Sequence, residues 1–268
     1  YFCKNHSSDF PIQIADQFYF KKVYQDKIWT DLHKQRLYRT GRYKYSDANF
    51  ILLQKVIETR SNLRLDTFVN RNFYYPLGLR QLGYHPLNRF EKKQIVPTQL
   101  DNRWRQQLVH GYVHDETAGL FGGVAGNAGL FSNPEDLAVL FQMLLNKGHY
   151  GGKQYLKEST VDLFTKPQGY VKRGLGFDKP NKKIYTAIAQ SASKQSFGHT
   201  GFTGTCVWAD PQNDLIYVFL SNRLHPNVKN KKLFQKRVRE RIHQVIYDAL
   251  DTYEIEIPET PKLDQAKS

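Results

Sequence analysis

The stretch "SFGHTGFTGTCVW" (residues 196–208) decides how this sequence is interpreted. It places three glycines, three threonines and a histidine in a run whose other residues favour a β-strand. Glycine weakens a strand interior and often marks a close approach by a ligand or another backbone. We therefore interpret residues 197–209 as a strand that a ligand approaches at its glycines, Gly198, Gly201 and Gly204. The alternative is an irregular edge strand with a bulge.

The surrounding segments predict an α+β fold, with a mostly helical first part and a strand hairpin near the end. Residues 215–221 ("LIYVFLS") form the second strand, and "DPQND" before them is a turn. Helices are predicted at 46–62, 132–148 and 155–165, the second with a capping box of Ser132 and Glu135. The stretch 64–79 predicts a short helix ended by Tyr75-Pro76. A basic amphipathic helix begins near residue 227, and its predicted buried stripe comprises Leu233, Phe234, Val238, Ile242, Val245, Ile246 and Ala249.

Composition limits the class of protein. No repeat or linker divides residues 1–251, which we take as one domain, and residues 252–268 form a polar tail. No apolar run could cross a bilayer and no signal peptide is visible; the missing initial Met leads us to expect that the natural chain begins upstream. The net charge of +14 raises the possibility of a polyanionic partner, but the basic residues accompany no nucleic-acid motif. Two cysteines give no disulfide framework.

Two short polar stretches carry possible chemistry. Tyr45 and Asp47 lie at the start of a predicted helix and can place a phenol and a carboxylate in one cleft. His199-Thr200-Gly201 offers a hydrogen-bonding ring, a hydroxyl and a backbone without a Cβ in the way.

This pair resembles the second and third motifs of the serine β-lactamase and penicillin-binding-protein family, in its class C and esterase-like branch. The flanking sequences are also similar to those of this family: "VHDETAGLFGGVAGNAGLFSNPEDLAVLFQMLL" (113–145) and "HTGFTGTCVWADPQNDLIYVFLSNRLHP" (199–226). The chain also resembles modules fused to glycoside hydrolases similar to β-N-acetylglucosaminidases. The resemblance implies a β-lactamase/transpeptidase-like fold: a helical lobe plus an antiparallel sheet covered by a C-terminal helix, incomplete in this chain. It also implies that Tyr45 shares proton transfer, that His199 and Thr200 orient the substrate, and that the Phe202 N–H holds the oxyanion.

Two departures from the family pattern matter. Asp47 stands where asparagine is usual, so it cannot donate an amide hydrogen to a substrate. The family's Ser-x-x-Lys is not found upstream of Tyr45, and its single match, residues 191–194, lies in a polar segment five residues before His199. A nucleophile needs a rigid helix start, so we do not assign it there. We expect instead that the chain is the C-terminal portion of a longer hydrolase, with the nucleophile upstream.

The sequence leaves two functions open. One is a serine acyl hydrolase module acting on an ester, amide or lactam, with a small-molecule or peptidoglycan-derived substrate, in the periplasm or outside the cell. The other is a non-catalytic module of the same fold that binds anionic wall polymer or nucleic acid. No cofactor is expected. A metal site at His110, His114, Asp115 and Glu116 is weighed against a loop that lines the cleft, and we prefer the loop.

Overall fold

The structure is a computed structural model that describes residues 1–36, 43–169, 172–181 and 186–252. The helices are α1 Val23–His33, α2 Asp47–Ser61, α3 Leu65–Val69, α4 Glu116–Leu120, α5 Pro134–Leu145, α6 Glu158–Thr165, α7 Lys232–Gln235 and α8 Val238–Thr252. The strands are β1 Phe2–Cys3, β2 Ile12–Ala15, β3 Phe18–Phe20, β4 Pro97–Asp101, β5 Gln107–His110, β6 His149–Tyr150, β7 Lys153–Gln154, β8 Phe197–Thr200, β9 Cys206–Asp210 and β10 Leu215–Phe219.

The sheet that carries the opening stretch is antiparallel, with strand order β10-β9-β8. Strand β9 is central and buried on both faces, with Trp208 paired to Gly198 on one side and to Tyr217 on the other. The predicted continuous strand over 197–209 is wrong. The chain leaves β8 after Thr200, turns, and returns as β9 from Cys206, so residues 201–205 connect the two strands.

Helices cover both faces of this sheet, following the alternation of side chains along a strand. Val207 and Ala209 face α5, where Phe141 stacks on Phe197 with ring centroids 6.2 Å apart. Cys206 and Trp208 point the other way, toward α8. This arrangement of helices and antiparallel strands confirms the predicted α+β class and the C-terminal helix over the sheet.

The C-terminal helix buries a different face from the predicted one. The chain breaks after α7 at Arg237, whose φ is +48°, and α8 starts afresh at Val238. The residues buried by α8 are Arg239, Glu240, His243 and Tyr247, whereas the predicted Ile242 and Val245 are exposed. The sheet offers polar as well as apolar contacts: the Tyr217 hydroxyl donates to the Arg239 carbonyl, and the His243 ring stacks on Tyr217 with centroids 4.2 Å apart.

The predicted helices in the first part form, with different limits. Helix α2 follows Ser46 and ends before Asn62, close to the predicted 46–62. Helix α5 is shorter than predicted, and its N-cap is Asn133, whose side chain accepts from the Asp136 N–H; the predicted Ser132 capping box is wrong. The short helix predicted to end at Tyr75-Pro76 is α3 followed by a π-helical turn, Asn70–Tyr74.

Short strands add to the predicted helical first part. Strands β1, β3 and β2 form a second antiparallel sheet, and β4 pairs with β5 in the segment before α4. Residues 253–268 of the predicted polar tail lie outside the described residues.

Candidate active site

Tyr45 and His199 meet between the start of α2 and the end of β8. Ser46 is the extended N-cap residue of α2 (φ −156°, ψ 128°), so Tyr45 immediately precedes the helix. His199 is the third residue of β8, and its ring centroid lies 6.5 Å from that of Tyr45. Two segments 154 positions apart therefore contribute side chains to one place, as the two motifs predict.

The Tyr45 phenol is held in its protonated form. Partial burial of the phenol raises its pKa above the ordinary value of 10.0, the negative charge of Asp47 raises it further, and the guanidinium of Arg173 acts in the opposite direction. The phenol can therefore donate a hydrogen bond at neutral pH. To accept a proton as a base it needs an additional cation, because positive charge stabilises a phenolate.

The hydrogen bonds of His199 define its protonation pattern. Nδ1 lies 2.8 Å from the carbonyl oxygen of Thr200, and Nε2 lies 3.3 Å from a terminal guanidinium nitrogen of Arg173. A carbonyl only accepts and a guanidinium only donates. These partners fit a neutral imidazole that carries its hydrogen on Nδ1 and accepts at Nε2.

Arg173 was missed by the sequence analysis, because it lies 26 residues before His199 and belongs to no recognisable motif. Its guanidinium forms an ion pair with Asp178 and lies 5.0 Å above the ring of Tyr43. Asp178 is itself paired through its backbone with Gly198, the residue before His199. The arginine is thus attached to the strand that carries the histidine.

The turn after β8 places Phe202 at the rim of the site. The Gly201 N–H donates to Thr205 O at 2.8 Å, and the Gly204 N–H donates to Gly201 O at 3.0 Å. The side chain of Phe202 is 62% exposed. Its own N–H makes no hydrogen bond to another described residue.

Stacking and hydrogen bonds immobilise this turn. The Phe202 ring stacks on His114, with centroids 4.9 Å apart and planes 13° apart, and the Arg223 guanidinium lies 4.5 Å from the Phe202 ring centroid. Arg223 also donates from Nε to Phe202 O at 3.0 Å and from its backbone N–H to Thr203 O at 2.9 Å. The peptide groups on either side of Thr203 are therefore fixed.

The three glycines of the opening stretch have reasons within the chain itself. A Cβ on Gly198 would lie 2.1 Å from Val207 O, and one on Gly201 would lie 2.2 Å from the Thr205 hydroxyl oxygen. Gly204 has φ +113°, and a Cβ there would lie 2.7 Å from the Ser221 hydroxyl oxygen. The Val207 backbone therefore excludes a side chain at Gly198, and the positive φ favours glycine at Gly204. At Gly201 the nearest atom belongs to a side chain, and the approach of a ligand there stays a prediction.

Of the other sequence candidates, His114 contacts the site through its stacking on Phe202, and the rest have partners elsewhere. Ser191 of the Ser-x-x-Lys match accepts a hydrogen bond from Gln244 of α8 at 2.7 Å, and Ser193 donates to Asp210. His110 bonds to the Ile95 carbonyl and His114 to the Gln99 side chain, and the described residues contain no group of three or more His, Cys, Asp or Glu placed to hold a metal ion. Within the same part of the chain, no helix is long and apolar enough to span a membrane.

Comparison with known proteins gives one consistent result. The family described as Beta-lactamase matches residues 5–240. A putative D-alanyl-D-alanine carboxypeptidase from Escherichia coli strain K12 is 36% identical over 259 residues, covering 86% of this chain and 59% of that protein. The chain thus spans less than two thirds of this relative's length.

Solved structures give the same fold at lower identity. A β-lactamase from Mycobacterium bovis superposes with a TM-score of 0.55 at 20% identity, over 81% of this chain and 67% of that one. A penicillin-binding-protein homologue from Caulobacter crescentus gives a TM-score of 0.56 at 16% identity, over 83% and 65% of the two chains. At these identities the similarity establishes the fold alone.

Proposed function

Because this chain belongs to the β-lactamase family of serine hydrolases, we propose that it contributes Tyr45 and the His199-Thr200-Gly201 strand to an acyl-hydrolase site. The observation that carries the proposal is the proximity of Tyr45 to His199, 6.5 Å between ring centroids, next to a turn whose Phe202 N–H makes no hydrogen bond to a described residue. The serine and lysine of the family's Ser-x-x-Lys would come from the part of the relatives' length that this chain does not span.

The proposed reaction is acyl transfer to that serine followed by hydrolysis. The serine oxygen attacks the substrate carbonyl, and its proton passes by way of the lysine and Tyr45 to the leaving group as the scissile bond breaks. The Phe202 N–H donates to the oxygen that becomes negative in the tetrahedral intermediate; one such donor contributes about 3 kcal/mol to transition-state stabilisation. Water then attacks the acyl-enzyme, and the same groups return the proton to the serine.

The proposed substrate is a cell-wall peptide ending in D-alanyl-D-alanine. Relatives that are 35–36% identical carry the name putative D-alanyl-D-alanine carboxypeptidase. An enzyme with such a substrate acts outside the cytoplasm, so we place this protein in the periplasm or at the cell exterior. Asp47 replaces the family's usual asparagine, and in this proposal it accepts a hydrogen bond from the substrate amide.

The test is release of D-alanine by a full-length protein that contains this chain. We expect turnover of a peptide ending in D-Ala-D-Ala and none of the matched peptide ending in L-Ala-L-Ala. A fluorescent penicillin should label one serine outside residues 191–194. Binding of peptide or wall polymer without any turnover would contradict the proposal and favour the non-catalytic module. Labelling of Ser191 would show that the nucleophile lies within this chain.

A further inference from the structure

We infer that Arg173 is a positioning residue of the candidate active site: it donates to Nε2 of His199 and holds the ring neutral, with its hydrogen on Nδ1. The inference builds on the proposed function, because it specifies what His199 contributes to that site. Its geometric basis is independent of the reaction, since it rests on the contacts of Arg173 and His199 alone.

The guanidinium is held in place by contacts in three directions. It pairs with Asp178 through one terminal nitrogen, lies 5.0 Å from the centroid of the Tyr43 ring, and points its other terminal nitrogen at Nε2 of His199 from 3.3 Å.

 Asp178 and His199 thus engage the two terminal nitrogens of the guanidinium, which lies over the Tyr43 ring. Side-chain exposure at Arg173 is 22% and at Asp178 13%, so solvent competes weakly for these contacts.

Asp178 ties the arginine to the catalytic strand. Its backbone N–H donates to Gly198 O at 2.7 Å, and the Gly198 N–H donates back to Asp178 O at 3.2 Å. The carboxylate that holds Arg173 is thus fixed one residue away from His199, in register with β8. A displacement of the guanidinium would require breaking this pairing or the ion pair.

The hydrogen-bond donors and acceptors around the ring leave one arrangement. An imidazolium would present an N–H at Nε2 toward the guanidinium, where two donors would face each other. A neutral ring with its hydrogen on Nε2 would meet the same conflict and would leave Nδ1 facing the Thr200 carbonyl without a hydrogen. Only the neutral form with its hydrogen on Nδ1 satisfies both neighbours.

The consequence for the mechanism is that His199 and Tyr45 have different roles. With both ring nitrogens engaged, His199 has no proton to exchange with a substrate, so it orients Thr200 through the carbonyl and shapes the wall opposite Tyr45. Tyr45 is then the proton-transferring group that this chain supplies, together with the proposed lysine. Glutamine has one donor and one acceptor on its amide, so it can reproduce both hydrogen bonds of the neutral ring.

The first test is ¹⁵N NMR of the full-length protein with labelled histidine at pH 7, with the His199 signals assigned from their absence in H199Q. We expect a protonated Nδ1 and an unprotonated Nε2. A ring protonated at both nitrogens, or at Nε2 alone, overturns the inference without any substitution of Arg173. This measurement does not depend on turnover, so it stands even if the proposed activity is not found.

The second test compares R173Q and R173K, with R80Q as the matched control, since Arg80 also lies over a tyrosine ring, that of Tyr75 at 5.9 Å. R173Q should shift His199 away from the Nδ1–H form, R173K should restore it, and R80Q should leave it unchanged. An unchanged His199 spectrum in folded R173Q refutes the positioning role. For turnover, we expect kcat to fall at least tenfold in R173Q and less than tenfold in H199Q; equal losses in R173Q and R80Q would also refute it.

Discussion

Replacing Gly198 with alanine tests whether the opening stretch is shaped by packing against its own neighbouring strand. Gly198 is paired with Trp208 in the sheet, and an added Cβ would lie 2.1 Å from Val207 O and 2.7 Å from the Trp208 ring. The ring cannot move aside easily, because its Nε1–H donates to Ala187 O at 2.8 Å in the core. Forcing extra atoms into such a site typically costs about 1–3 kcal/mol, and a clash with backbone falls at the upper end.

The sign of the effect makes this prediction decisive. Without a clash, alanine would stabilise the strand by roughly 0.5–1 kcal/mol, because glycine loses more chain entropy on folding. We expect G198A to lower the free energy of unfolding by about 2 kcal/mol or more, measured by urea denaturation followed through tryptophan fluorescence at constant m value. The matched control is G119A in α4, where the nearest atom to an added Cβ is 3.6 Å away, so stability should be unchanged or higher. A urea midpoint for G198A at or above the wild-type value would refute this account of the strand.

Two further predictions concern Tyr45 and Asp210. Y45F should lower kcat of the full-length protein by about 10²–10⁴-fold, as expected for loss of a proton-transferring group. Its melting temperature should stay close to wild type, because Tyr45 is 62% exposed. An unchanged kcat would remove Tyr45 from the mechanism. For Asp210, burial raises the carboxyl pKa, but hydrogen bonds from Ser193, Tyr247 and Asn213 outweigh it and bring the pKa from 3.8 to about 2. Since the folded-state pKa is depressed, the carboxylate stabilises the fold above pH 3.8, by about 2 kcal/mol, and this contribution is lost as the pH falls toward 2. The difference in unfolding free energy between wild type and D210N, measured in urea from pH 7 to pH 2, should therefore shrink below pH 4; a constant difference would contradict this role.

The sequence is most informative where one short segment carries its own structural signal. Helix α2 agrees with its predicted limits to within a residue, because a broad apolar face and a polar residue at its start lie in one continuous run. The hairpin of β9 and β10 is predicted for the same reason: two apolar strands flank a polar turn. Each of these signals is complete within about twenty residues.

The misses share a dependence on contacts that are distant in sequence. Strand β1 has two residues and pairs with β3, so it carries no periodicity that a window could detect. On α8 the buried face includes Arg239 and His243, because the sheet supplies polar partners that hydrophobicity cannot indicate. Arg173 gains its meaning only from the fold, which brings it to His199 through the pairing of Asp178 with Gly198.

The candidate site includes residues of β8, which is an edge strand of its sheet. Strand β8 is the last strand of the order β10-β9-β8, and an open edge can pair with other chains. Asp178 covers that edge at Gly198 through two backbone hydrogen bonds. Among the described residues, this pairing does not continue to Thr200, at the end of β8 where the proposed function places the substrate. The same aspartate holds Arg173 against His199. Asp178 thereby protects the edge of β8 from unwanted pairing at Gly198 and positions Arg173 next to His199.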